Sequence, residues 1–84
     1  MAESVTYYAI ADVGKTIEEP IGLARRRVLD NGGILDEAIQ RDLSWVRSSA
    51  IVDWKRGDLS SKLVEIDEDQ ADQIVAYFRD KWRG

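Results

Sequence analysis

The sequence predicts an α+β fold: a small antiparallel sheet of three or four strands packed against a C-terminal amphipathic helix, with a short helix near 49–56. Three patterns point there. Apolar and β-branched residues alternate at period two near the N-terminus. A second alternating run ends at an Asn-Gly pair, the strongest short hairpin signal. Apolar residues then recur at helical spacing towards the C-terminus. The chain has 84 residues, which sets one domain over 1–84 as the expectation. A chain this short buries little surface. Its three Trp, three Tyr and one Phe must therefore supply much of the core, since each aromatic can bury about 150–250 Å².

The first strand is expected at about 4–11, where Val5, Tyr7 and Ala9 alternate with Thr6, Tyr8 and Ile10. Both faces carry apolar groups, so this strand lies inside the sheet or has a covered second face. Tyr7 and Tyr8 point to opposite faces, and only one of them readily enters a main core. Asp12 to Gly22 reads as a loop, because Gly14, the Glu18-Glu19 pair, Pro20 and Gly22 break both periods. A second strand follows at about 23–29, with Leu23, Arg25, Arg27 and Leu29 on one side and Ala24, Arg26 and Val28 on the other. Asp30-Asn31-Gly32-Gly33 then tolerates the positive φ of a hairpin turn.

Residues 34–47 admit two readings. Ile34, Leu35, Ala38, Ile39, Leu43 and Val46 can form one helical face. Alternatively, Ile34 to Ile39 returns as the hairpin's second strand. The strand is favoured, because a two-strand ribbon alone is weak. Ser48 or Ser49 can cap the helix at 49–56, with Ile51, Trp54 and the stem of Lys55 inward and Gly57 ending it. Asp58 to Ser61 reads as a turn, and Leu63, Val64 and Ile66 as a short strand. Asp67 with Gln70 forms a reciprocal capping pair. Ala71, Ile74, Val75, Phe78 and Trp82 then mark the buried stripe of a helix over 68–82.

The composition narrows the chemistry. With no cysteine and no histidine, disulfides, thiolate metal sites and His-dependent nucleophile systems are ruled out. No constellation for an enzyme emerges, so the expectation is a non-enzymatic protein without catalytic, cofactor-binding or metal-binding residues. Gly14-Lys15-Thr16 lacks the earlier glycine of a phosphate loop, since Ala9 stands there. Gly32-Gly33 lacks the later glycine of a dinucleotide fingerprint. Asp67, Glu68, Asp69 and Asp72 lack calcium-loop spacing and suit a helix start. Net charge is −4, which argues weakly against a general nucleic-acid role. The N-terminus lacks the pattern of a signal peptide and the apolar runs are too short to span a membrane. A cytoplasmic setting is expected.

Arg25-Arg26-Arg27, Asp42-Leu43-Ser44-Trp45, Arg56-Gly57-Asp58 and Leu63-Val64-Glu65-Ile66 together resemble segments of a group of short, uncharacterised proteins from high-GC Gram-positive bacteria. The resemblance covers much of the chain after Pro20. It implies no catalytic or ligand role for any residue.

Six residues stand out as a candidate interaction surface: Trp45, Trp54, Tyr77, Arg25, Arg26 and Arg27. Tryptophan and arginine are enriched where partners bind most strongly. Trp82, by contrast, continues the helix stripe and belongs in the core. The favoured expectation is an interaction or accessory protein, with a protein partner or homodimer formation covering an apolar face or sheet edge. The alternative is a phosphate or nucleic-acid binding module using Arg25–Arg27, against which stands pairing of those arginines with nearby acids.

Overall fold

The computed structural model describes residues 4–12, 14, 20–57 and 61–82. Five strands and two helices follow in the order β1 (Ser4–Ala11), β2 (Gly22–Val28), β3 (Ile34–Ile39), β4 (Trp45–Arg47), α1 (Ala50–Arg56), β5 (Lys62–Ile66) and α2 (Glu68–Trp82). The strands form one antiparallel sheet in the order β4-β3-β2-β1-β5. The α+β class, the strands near 4–11, 23–29, 34–39 and 63–66, and both helices stand as the sequence predicts.

The strand count is a correction: five, where three or four were expected. The added strand is β4, a three-residue edge. It exists because the chain after β3 turns back tightly. Gln40 N–H donates to Ser44 O at 2.9 Å and Leu43 N–H to Gln40 O at 2.8 Å. Asp42 Oδ1 accepts from the Ser44 N–H at 3.0 Å and from its hydroxyl at 2.6 Å. The turn requires positive φ at its last position, and Leu43 adopts it at 67°. The β2–β3 turn has the same plan with glycine in that place. Leu29 N–H bonds to Gly33 O, Gly32 N–H to Leu29 O, and Gly32 has φ 85°.

Helices cover both faces of the sheet, so each tyrosine of β1 has a cluster to join. Ala9, Leu23 and Ile66 pack with Ala71, Ile74 and Phe78 of α2, and Tyr7 flanks this cluster. On the other face Tyr8, Ala24 and Leu63 pack with Ile51 of α1, flanked by Ile10 and Trp54. Tyr7 and Tyr8 therefore serve separate cores, where one main core was expected. Phe78 is 1% exposed and stacks on Trp82 with ring centroids 4.1 Å apart.

Capping explains where the helices begin and end. Asp67 Oδ1 accepts the Gln70 N–H at 2.7 Å, and Gln70 Oε1 accepts the Asp67 N–H at 3.1 Å, the reciprocal box expected at α2. At α1 the cap is divided. Ser49 occupies the N-cap position without a side-chain cap bond, while Ser48 Oγ accepts the Ala50 N–H at 3.1 Å. Gly57 closes α1 in the left-handed conformation. Lys55 is exposed, contrary to an inward stem. The loop expected over 12–22 and the turn expected over 58–61 fall largely outside the described residues, as do Lys15 and Thr16. Pro20 is buried, and Ile21 N–H extends the β1–β2 ladder to Ile10 O at 2.8 Å.

Candidate functional site at the uncovered end of the sheet

The arginine run is governed by register. Arg25 lies opposite Glu37, Arg26 opposite Asp36, and Arg27 opposite Leu35. Alternation sends Arg25 and Arg27 to the α2 face and Arg26 to the α1 face. Arg26 holds Asp36 in a fork, Nε to Oδ1 at 2.8 Å and Nη2 to Oδ2 at 2.9 Å. That hydrogen bond raises the Arg26 pKa against the opposing effect of burial, and the charge of Asp36 adds to it. Arg25 Nε donates to Glu37 Oε1 at 2.8 Å, and Arg27 Nη1 stands 3.7 Å from the same oxygen. All three cations of the run thus face acids supplied by β3.

The aromatic candidates divide in the same way. Trp45 lies on the α2 face, with the Arg25 guanidinium 4.1 Å from its ring centroid and Tyr7 at 6.3 Å. Tyr77 packs from α2 against the same cluster, 5.6 Å from Phe78. Its hydroxyl lies 3.3 Å from Lys81 Nζ. Trp54 sits on α1 beside Tyr8, at 6.5 Å. Trp45, Tyr77, Arg25 and Arg27 therefore share one side of the sheet, and Trp54 and Arg26 the other. All three aromatics are half-buried.

A different group of residues is exposed at one end of the sheet, with Val28 and Ile34 on the α1 side and Val5 on the α2 side. Val5, Val28 and Ile34 are 41%, 37% and 60% exposed, far above the core residues beside them. Val28 lies opposite Ile34 and beside Ser4, and Val5 lies opposite Arg27. They occupy neighbouring strands at the end of the sheet where β2 turns into β3. The edge strands stop before reaching it. β4 pairs only with Glu37–Ile39, and β5 only with Tyr7–Ala11. The three inner strands therefore protrude beyond both edges.

Each edge leaves a notch beside this protrusion. The one next to β3 has a volume of about 390 Å³ and is lined by Ile34, Leu35, Asp36, Arg47, Ser48 and Ser49. The one next to β1 has a volume of about 400 Å³, and its lining includes Glu65, Asp67 and Glu68. One notch thus carries an exposed arginine and the other a set of carboxylates.

Sequence reasoning passed over Val5, Val28, Ile34 and Arg47. The signal was available in the Asn31-Gly32 turn. Closing the hairpin at Leu29 and Gly33 fixes Val28 opposite Ile34, Arg26 opposite Asp36 and Arg25 opposite Glu37, with Arg27 diagonal to Glu37. The exposure of that end was not available, because it depends on where β4 and β5 stop. Among the described residues, no group of three or more His, Cys, Asp or Glu could hold a metal ion. No helix among them is long and apolar enough to cross a membrane. No family model matches the chain, and neither the curated proteins nor the solved structures contain a match. The chain is a small α+β fold without cysteine or a metal-binding cluster among its described residues.

Proposed function

We propose that this chain is a non-enzymatic protein-interaction or accessory domain whose contact surface is the protruding end of the sheet. The observation that carries this reading is the exposed Val28–Ile34 cross-strand pair on the α1 side, with Val5 exposed on the other face, at the end of the sheet where both edge strands fall short. Apolar side chains beside unpaired strand edges are what a partner covers by strand addition or face packing. A second copy of the chain, giving a homodimer, and a different protein are both occupants of this kind. The phosphate or nucleic-acid reading has less support, since Arg25, Arg26 and Arg27 each face a carboxylate of β3. A polyanion would have to compete with those pairs.

A photo-crosslinking residue at position 34 tests the proposal in cells. A discrete adduct is expected from position 34, lost when Val28 is changed to Lys. The exposed position 76 on α2 is the control and should give none. An adduct of twice the chain's mass identifies self-association. Equal, diffuse labelling from both positions, or none from either, would sink the interaction reading.

A further inference from the structure

We propose that the notch beside β3 takes an extended, carboxylate-bearing segment of a partner protein as an added strand. This rests on the interaction reading above and names the chemistry of the occupant. Strand parity defines the hydrogen-bonding template. Asp36 O accepts from Ser48 N–H on the β4 side. In an antiparallel strand a residue's N–H and C=O point the same way and alternate along the chain. Ile34 therefore directs both its groups to that outer side, where β4 no longer reaches. No hydrogen bond from another described residue meets them. The lane that β4 occupies beside Glu37–Ile39 is open beside Ile34.

Charge selects the occupant. Arg47, on the α2 side of the sheet, is exposed and makes no ion pair with another described residue. Asp36, the one acid in the lining, already has both oxygens held by Arg26. Glu37, directly opposite Arg47, is shared by Arg25 and Arg27, so that one carboxylate serves three cations. The notch presents Arg47 on the α2 side of the lane and Ile34 on the α1 side. A carboxylate on the added strand meets Arg47 in a charge-assisted bond, and an apolar neighbour covers Ile34. The second open edge has the opposite bias, since Glu65, Asp67 and Glu68 line its notch and repel an acidic strand. The overhang of β3 beyond β4 is short. A segment free of its own sheet enters it more simply than the edge of a second folded copy.

The test is an NMR titration of the isotope-labelled full chain with two blocked hexapeptides, one alternating valine with glutamate and one alternating valine with lysine. The glutamate peptide should shift the amides of Ile34, Leu35, Asp36 and Arg47 in a saturable way, leaving Leu63 and Glu65 unmoved. The lysine peptide should not. Arg47→Glu should weaken the glutamate peptide by about tenfold or more while the rest of the spectrum stays native, as expected for an exposed residue. Equal binding of both peptides, or shifts centred on β5, overturns the proposal. So do notch shifts that depend on protein concentration alone, which assign the site to a second copy, or displacement of the peptide by a single-stranded oligonucleotide. A crosslink from position 34 that survives Arg47→Glu in cells also overturns it. That result leaves the wider interaction reading standing, whereas absence of any crosslink defeats the wider reading.

Discussion

The two turns that bracket β3 have one hydrogen-bonding plan and opposite chemistry. In the first, Asn31 Oδ1 accepts the Gly33 N–H at 2.8 Å and Gly32 takes the positive φ. In the second, Asp42 Oδ1 accepts the Ser44 N–H and Leu43 takes it. Glycine enters the left-handed region without strain and brings no side chain to bury. Leucine enters at a cost of about 1–2 kcal/mol, offset by packing against the α2 cluster. The difference follows from position. The first turn projects from the uncovered end of the sheet, and the second closes the opposite end, beside the α2-face core. Geometry can be dictated locally by residue type, or imposed by what a side chain gains from its surroundings.

The largest test of that contrast compares the two ends directly. Phe78→Ala removes the most deeply buried aromatic and is expected to cost about 3–5 kcal/mol. For a chain of this size, whose total stability is on the order of 5 kcal/mol, most of the fold would be lost. Ile34→Ala, at the uncovered end, should stay within about 0.5 kcal/mol. Urea unfolding of the two variants measures both. Comparable losses would mean that the protruding end is part of the structural core.

Substitutions in the turns separate strain from burial. Gly32→Ala should destabilise by about 1–2 kcal/mol, since the new Cβ meets open space but the backbone angle does not suit it. At position 43 the usual ranking should invert. Leu43→Ala loses the side-chain contacts and keeps the strain, whereas Leu43→Gly loses the same contacts and relieves it. The glycine variant should be the more stable of the two by about 1 kcal/mol. Finding alanine more stable at 43 would show that the strain there is negligible.

The smallest effect is one of pH. Hydrogen bonds from the Ser44 hydroxyl and then the Ser44 N–H hold the Asp42 carboxyl below its ordinary value of 3.8. A carboxylate with a depressed folded pKa stabilises above its unfolded pKa, and that contribution fades as pH falls through the folded value. Amide exchange at Ser44 should therefore accelerate as the pH drops below about 3.8, relative to Gly33, whose acceptor Asn31 does not titrate. Asp42→Asn should remove the difference between the turns. A Ser44 amide that tracks Gly33 across the whole range in the unsubstituted protein would refute the role given to Asp42.

The pairing of the arginines shows how far sequence patterns carry. The alternation that puts Arg25 and Arg27 on one side and Arg26 on the other was legible, and so was the hairpin turn that aligns them with Glu37 and Asp36. The division of Trp45 and Trp54 between faces was not. It depends on α1 and α2 lying on opposite sides of the sheet, and no local pattern states on which side a helix will pack. β4 was hidden for a related reason. Its three residues are too few to show a period, and its turn uses a leucine where local propensity calls for glycine or asparagine.

Sequence alone determined the elements whose stability is local: the alternating strands, the Asn-Gly turn, and α2 with its Asp67–Gln70 box and apolar stripe. These rest on period, backbone preference and capping, all acting between near neighbours in the chain. Only the tertiary structure decided that both faces of the sheet would be covered, that Leu43 would adopt a left-handed angle, and that β4 and β5 would stop short of Ile34 and Val5. Each of those outcomes balances burial against strain among residues far apart in sequence, and that balance exists only once the sheet and helices have come together.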